Sequence, residues 1–177
     1  AVAPDQIRSR LGLDSNVLVR PALDVVAEGA MFLGEDWDLA SWRWDSQPGY
    51  LSLRAAGDLQ LQANLSDGFA RTGIVFNQLA GDSWSYELTA GADLASALPG
   101  AVRGRLLDAP DTGLLEIGDG LLVRTGTGSI RLAAATDLML AGETTSVYTA
   151  GVAARQAINV GLFRANWSRD GGDISLA

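Results

Sequence analysis

The sequence predicts an all-β fold wound as a parallel β-helix, a β-solenoid with irregular loop insertions, in one segment over residues 1–177. Three observations predict it. Apolar residues alternate with a period of two, one phrase of that alternation is restated along the chain, and glycines recur where long helices would otherwise run.

The alternation is clearest from Gly49 to Leu65. Leu51, Leu53, Ala55, Leu59, Leu61, Ala63 and Leu65 share one parity, and Ser52, Arg54, Asp58, Gln60, Gln62 and Asn64 share the other. Successive strand residues point to opposite faces, so this pattern gives one apolar and one polar face.

The phrase then returns. GYLSLRAAGDLQLQA from Gly49 matches GSIRLAAATDLMLAG from Gly128, with Leu51 and Leu53 on Ile130 and Leu132 and with Asp58 on Asp137. SYELTAGADLASA is a partial copy, placing Tyr86, Leu88, Ala90, Asp93 and Leu94 at the equivalent positions. A looser copy runs from Val17 to Leu33, and GGDISLA opens another at Gly172 that stops at Ala177. The unfinished copy reads as an excerpt of a much longer repetitive protein.

Two short strands separated by a small-residue kink read as one turn of a solenoid. A coil cannot bury its own apolar face, so stacked coils build ladders of Leu on Leu and Ala on Ala. At roughly 20 residues per coil the chain would hold about eight or nine coils. The stretches GADLASALPGAVRGRLLDAPDTG and TAGVAARQAINVGLFRANWSRDGG are longer than a simple turn and are expected to project from the stack as loops or poorly matched strands. Asp58, Asp93 and Asp137 are expected to cap the bend between strands, and TGTGS around Gly126 to form a turn.

Composition narrows the chemistry. The chain has no Cys and no His, and its 13 basic residues are all Arg. Thiolate and imidazole chemistry, disulfides, Schiff-base lysines and the phosphate-loop lysine are therefore absent. The net charge of −8 disfavours nucleic acid and anionic lipid. No run of 18 apolar residues is present, and the N-terminal AVAPDQIRSRLG has no signal-peptide pattern. No cofactor, no metal and no catalytic residue is expected.

The copies GYLSLRAAGDLQLQANLSDGF, SWSYELTAGADL, RTGTGSIRLAAATDLML and SVYTAG, with EDWDLASWRW and DGGDISLA, resemble the repeat region of large filamentous-haemagglutinin-like exoproteins. The resemblance covers the chain from about Val17 onwards. It implies a right-handed parallel β-helix, exported to the Gram-negative cell surface by an outer-membrane transporter partner. It also implies flanking coils of the parent chain and a role in adhesion to a host or bacterial glycan or protein. No match to the family's export-guiding segment is found, so the resemblance is to shaft.

Ligand contact is expected, if anywhere, at Trp37, Trp42, Arg43 and Trp44 in DWDLASWRW. Exposed indoles stack on sugar rings, and Arg43 lies among them. The competing reading packs these rings into the core, and Trp42 and Trp44 share the parity to do so. Carboxylates gather at Glu35, Asp36 and Asp38, at Asp108 and Asp111, at Glu116 and Asp119, and at Asp170 and Asp173. Calcium binding or a glycosidase pair would use such groups, but turn-forming Asp-Gly sequence accounts for them more simply. The function expected is a structural and adhesive segment without catalysis. The alternative is a polysaccharide-acting or carbohydrate-binding β-helix domain.

Overall fold

The computed structural model describes residues 4–14, 17, 19–72, 75–104, 112–153 and 168–177. A short helix, α1 (Pro4–Leu11), comes first. Proline suits its first position, Arg8 and Arg10 sit in its last turn, and Gly12 follows at φ 64°.

Strands follow in sets of three. The first coil carries β1 (Ala22–Ala27), β2 (Met31–Leu33) and β3 (Trp37–Asp38); the second carries β4 (Tyr50–Ala55), β5 (Leu59–Leu61) and β6 (Leu65–Ser66). An antiparallel hairpin of β7 (Phe69–Thr72) and β8 (Val75–Gln78) leads to the third coil, β9 (Ser85–Ala90), β10 (Leu115–Ile117) and β11 (Leu122–Thr125). The fourth is β12 (Ile130–Ala134), β13 (Leu138–Leu140) and β14 (Ser146–Thr149). A small antiparallel pair, β15 (Val152–Ala153) and β16 (Ser168–Arg169), precedes β17 (Ile174–Leu176).

Each member of a coil joins a different sheet. The first sheet runs β1-β4-β9-β12-β17, the second β2-β5-β10-β13 and the third β3-β6-β11-β14, all with parallel pairing. The chain thus visits three sheets in turn and returns one strand further along, an order consistent with a β-solenoid.

Register confirms the repeated phrase. Leu23, Leu51, Tyr86, Ile130 and Ile174 stack in one ladder, and Val25, Leu53, Leu88, Leu132 and Leu176 in the next. The second sheet stacks Met31, Leu59, Leu115 and Leu138, then Leu33, Leu61, Ile117 and Leu140. In the middle coils these side chains are at most 1 % exposed, so each contributes about 1.5–3 kcal/mol of burial. The ladders open at the terminal strands, where Leu140, Ile174 and Leu176 are 44, 44 and 66 % exposed.

Four expectations change. Each coil has three strands, since the short third strands carry too little alternation to read from sequence. The steps from Leu23 to Leu51, Tyr86, Ile130 and Ile174 are 28, 35, 44 and 44 residues, so the described chain makes four coils and opens a fifth. Inserted segments, not extra coils, take up the length.

The third change concerns Asp93 and Leu94, which are not equivalent to Asp58 and Leu59. Leu115 is the residue that pairs with both Leu59 and Leu138, so a segment is inserted between Ala90 and Leu115. Asp93 belongs to that insertion, where its Oδ1 accepts from Ala95 N at 3.0 Å. Asp58 does hold the bend, accepting from Gly113 N and Leu114 N of the next coil at 2.7 and 3.0 Å.

Finally, the described part of the insertion does not project. Residues 91–104 fold back onto the outer face of the first sheet. Arg54 Nη2 donates to the Asp93 and Ser96 carbonyls at 3.0 and 3.2 Å, and Thr89 Oγ1 donates to the Pro99 carbonyl at 3.1 Å. Arg54, Glu87 and Thr89 are buried beneath it although the alternation makes them outward residues. Residues 105–111, with Asp108 and Asp111, and residues 154–167 of the second irregular stretch lie outside the described residues.

The glycines that open the phrase have a steric cause. Gly49, Trp84 and Gly128 occupy the same position of successive coils, immediately before the paired residues Tyr50 and Ser85, and Ser129 beside Ser85. A Cβ on Gly49 would lie 2.5 Å from the Pro21 carbonyl and 2.6 Å from the Trp84 ring, and one on Gly128 would strike the Trp84 carbonyl. Only glycine fits on either side of a Trp held there. Trp84 is itself 4 % exposed and donates its indole N–H to the Trp42 carbonyl at 2.8 Å.

Candidate functional site

The DWDLASWRW segment forms β3, a 3-10 turn over Leu39–Ser41 and a tight return at Asp45 and Ser46, whose φ values are 51° and 62°. Asp38 caps the 3-10 turn, its Oδ1 accepting from Ala40 N at 3.0 Å. The segment sits at the first-coil edge of the third sheet.

Its four candidate residues part company. Trp37 stacks inward in the ladder Trp37–Leu65–Val123–Val147 and is half-buried, because β3 is an edge strand with no ladder beyond it. Trp42 is 42 % exposed and lies 5.6 Å from the Trp37 ring centre at an interplanar angle of 37°. The shared parity of Trp42 and Trp44 does not bring Trp42 inside, since the chain has left the strand by then. Trp44 is half-buried and pairs with Gln47 across the return.

Arg43 points away from the indole pair. Its Nη2 donates to both oxygens of Asp67, at 2.8 and 3.0 Å, and its Nη1 to the Leu39 carbonyl at 2.7 Å. Asp67 is fully buried and also accepts from Trp84 N at 2.6 Å. This guanidinium ties the first coil to the second. A depression of about 380 Å³ beside it is lined by Arg43, Ser46, Gln47, Pro48, Asp82 and Ser83 among others, with Asp82 already paired to Arg20 at 2.8 Å.

A second concavity, about 210 Å³, lies on the outer face of the third sheet and includes Trp37. Asp36, Asp38, Asn64, Ser66, Phe69, Leu122 and Arg124 complete its lining. The outward ladder of that sheet reads Asp38, Ser66, Arg124, Tyr148, one residue from each coil. Arg124 Nε donates to Ser66 Oγ at 2.8 Å and Nη1 to the Tyr148 hydroxyl at 3.1 Å, while its guanidinium carbon lies 4.1 Å over the Phe69 ring. Phe69 begins the hairpin inserted after β6, and meets Tyr148 edge-on at 6.2 Å. Sequence reading passed over Ser66, Phe69, Arg124 and Tyr148 because they converge only through strand register.

Asn64 spans the groove floor. It donates from its backbone N and its Nδ2 to Asp36 Oδ1, at 2.8 and 2.9 Å, and accepts from Leu122 N at 2.9 Å. Three coils are thereby linked through one amide.

The remaining carboxylates lie elsewhere. Glu116 is outward on the second sheet, and the Asp119 side chain packs at Gly142. Asp170 lies 3.4 Å from Arg169. Among the described residues no group of three or more Asp or Glu side chains is placed to hold a metal ion, and no described helix is long and apolar enough to cross a membrane.

No family model, no curated protein and no solved structure matches the chain.

Proposed function

We propose that this chain is a structural and adhesive segment of a secreted, cell-surface exoprotein of the filamentous-haemagglutinin-like kind, wound as a right-handed β-helix and without catalysis of its own. Coils of the parent chain flank it, and an outer-membrane transporter exports it to the Gram-negative surface. The observation that carries the reading is the five-strand ladder of the first sheet. A stack of in-register coils whose terminal strands leave open edges suits a segment of an extended shaft.

Its terminal strands support the same reading. β2 and β13 close the second sheet on opposite sides, and their outward residues Phe32 and Met139 are 61 and 41 % exposed, whereas Gln60 and Glu116 hold that position between them. A further coil on either side would cover an apolar residue there. Open edges with apolar ladders pair with any matching edge. Small-angle scattering of the purified chain tests this: particles that lengthen with concentration at constant cross-section are expected. A particle that stays one chain long at every concentration overturns the shaft reading.

A further inference from the structure

We propose that residues 92–104 are a strap over the outer face of the first sheet that lifts when Glu87 ionises, so that a strip of polar side chains is covered in acid and open near neutral pH. Such a device is independent of the shaft reading above. The strip consists of two adjacent register pairs, Ser52 with Glu87 and Arg54 with Thr89, each residue at most 8 % exposed.

The insertion is built to move as a unit. It leaves the third coil at Gly91 (φ 64°) and re-enters at Gly113 (φ 107°), and a Cβ added to either would lie 3.2 or 3.1 Å from the other's Cα. The two roots therefore touch. Both are fixed to the stack, Gly91 N donating to the Gly57 carbonyl at 2.8 Å and Gly113 N to Asp58 Oδ1 at 2.7 Å. A segment that departs and returns at one point swings without disturbing the coil beneath. Beyond Ala92, whose N donates to the Ala55 carbonyl at 2.7 Å, no backbone–backbone hydrogen bond joins the strap to the first sheet among the described residues. Side chains hold it instead: Arg54 the Asp93 and Ser96 carbonyls, Thr89 the Pro99 carbonyl, and Arg103 the Ala56 carbonyl. Closure gains little. Ser52 Oγ, Arg54 Nε and Arg103 Nε are buried without a partner among the described residues, while Leu98 and Val102 of the strap stay 71 and 36 % exposed.

Glu87 supplies the switch. Gly100 lies directly on it: a Cβ there would strike the Glu87 carboxylate and stand 2.8 Å from Arg131 Nε. Arg131 of β12 pairs with the acid at 3.3 Å and is itself half exposed. From β4, Ser52 is uncharged and Arg54 is engaged on the strap carbonyls, with Asp24 of β1 at 3.7 Å from it. The strap's own charges are turned elsewhere, Asp93 to Ala95 N and Arg103 to the Ala56 carbonyl. Burial outweighs Arg131 and raises the carboxyl above the ordinary glutamate range. The closed strap therefore favours the neutral acid, and the lifted strap the solvated carboxylate. Closure is fully supported below the ordinary glutamate value and weakens as pH rises through the raised one.

The chain has no cysteine, so single introduced thiols report opening. Ser52→Cys places one on the covered strip, where the native hydroxyl has no partner to lose among the described residues. Its rate of labelling by dipyridyl disulfide, normalised at each pH to the exposed Ser175→Cys, is expected to rise about threefold or more between about pH 5 and about pH 8. Glu87→Gln in the same background is expected to keep the low rate at both. Thr89→Val, which removes the hydroxyl bonded to Pro99, is expected to raise the rate at both. Ala55→Cys, inward on the same strand and fully buried, reports global unfolding and is expected to label more slowly than Ser52→Cys throughout. The proposal is overturned if the normalised Ser52→Cys rate is the same at both pH values, or if Glu87→Gln leaves the rise in place. It is equally overturned if Thr89→Val changes nothing, or if Ala55→Cys labels as fast as Ser52→Cys.

Discussion

Arg43 and Asp67 form an ion pair between consecutive coils in which one guanidinium nitrogen donates to both carboxylate oxygens, at 2.8 and 3.0 Å. The acid is fully buried, and the arginine side chain is 20 % exposed. Removing the guanidinium leaves the buried Asp67 carboxylate without its opposite charge, with only the Trp84 N–H among the described residues still donating to it. Arg43→Ala is therefore expected to cost about 3–5 kcal/mol. Urea unfolding monitored by Trp fluorescence measures it, and a loss within 0.5 kcal/mol, the usual range for surface substitutions, would contradict the assigned role.

Gly128 lies against the Trp84 carbonyl, and Gly49 against the Trp84 ring. A methyl group at Gly128 meets backbone, which cannot step aside without breaking the β9–β12 ladder. One at Gly49 also meets the Pro21 carbonyl. Both Gly→Ala substitutions are expected to destabilise by about 1–3 kcal/mol or more through overpacking. Gly34, where an added Cβ meets nothing within 4 Å, serves as the control. Equal melting temperatures for Gly128→Ala and Gly34→Ala would refute the steric account.

Glu87 gives the fold a pH dependence of known sign. Burial beneath residues 91–104 raises its carboxyl above the ordinary glutamate range, and Arg131, 3.3 Å away, pulls it partly back. An acid whose folded value exceeds its unfolded value holds more protons when folded. Its contribution to stability is then most favourable below the ordinary glutamate value and declines as pH rises to the raised folded value. Glu87→Gln is expected to gain stability over the parent across that interval and to keep a constant advantage above it. Urea midpoints at a series of pH values measure this difference, and two parallel profiles would contradict it.

The sequence carried the interior better than the exterior. Period-two alternation and the repeat at Gly49 and Gly128 located the ladders through Leu51, Leu53, Leu59 and Leu61, because burial on one face leaves a direct mark on composition. The third strand of each coil stayed hidden: Trp37–Asp38 and Leu65–Ser66 are two residues each, too short to show a period. Insertions broke the copy in the third coil, so Asp93 and Leu94 resembled Asp58 and Leu59 without occupying their place. The groove was illegible for a related reason. Asp38, Ser66, Arg124 and Tyr148 are spread over 111 positions and meet only in the register of the third sheet. The tryptophan segment did mark the neighbourhood, although Arg43 proved to be a tie between coils.

The stacking itself is most directly tested by engineered disulfides, since the chain has no cysteine of its own. Gln60, Glu116 and Met139 occupy one outward ladder of the second sheet. Adjacent members stand about 4.8 Å apart and alternate ones about 9.6 Å, against a limit of about 7 Å for a disulfide. The pairs Gln60→Cys with Glu116→Cys, and Glu116→Cys with Met139→Cys, are expected to oxidise within one chain. The pair Gln60→Cys with Met139→Cys is expected to remain reduced. Bridging of the alternate pair in preference to the adjacent ones would contradict the parallel, in-register stack.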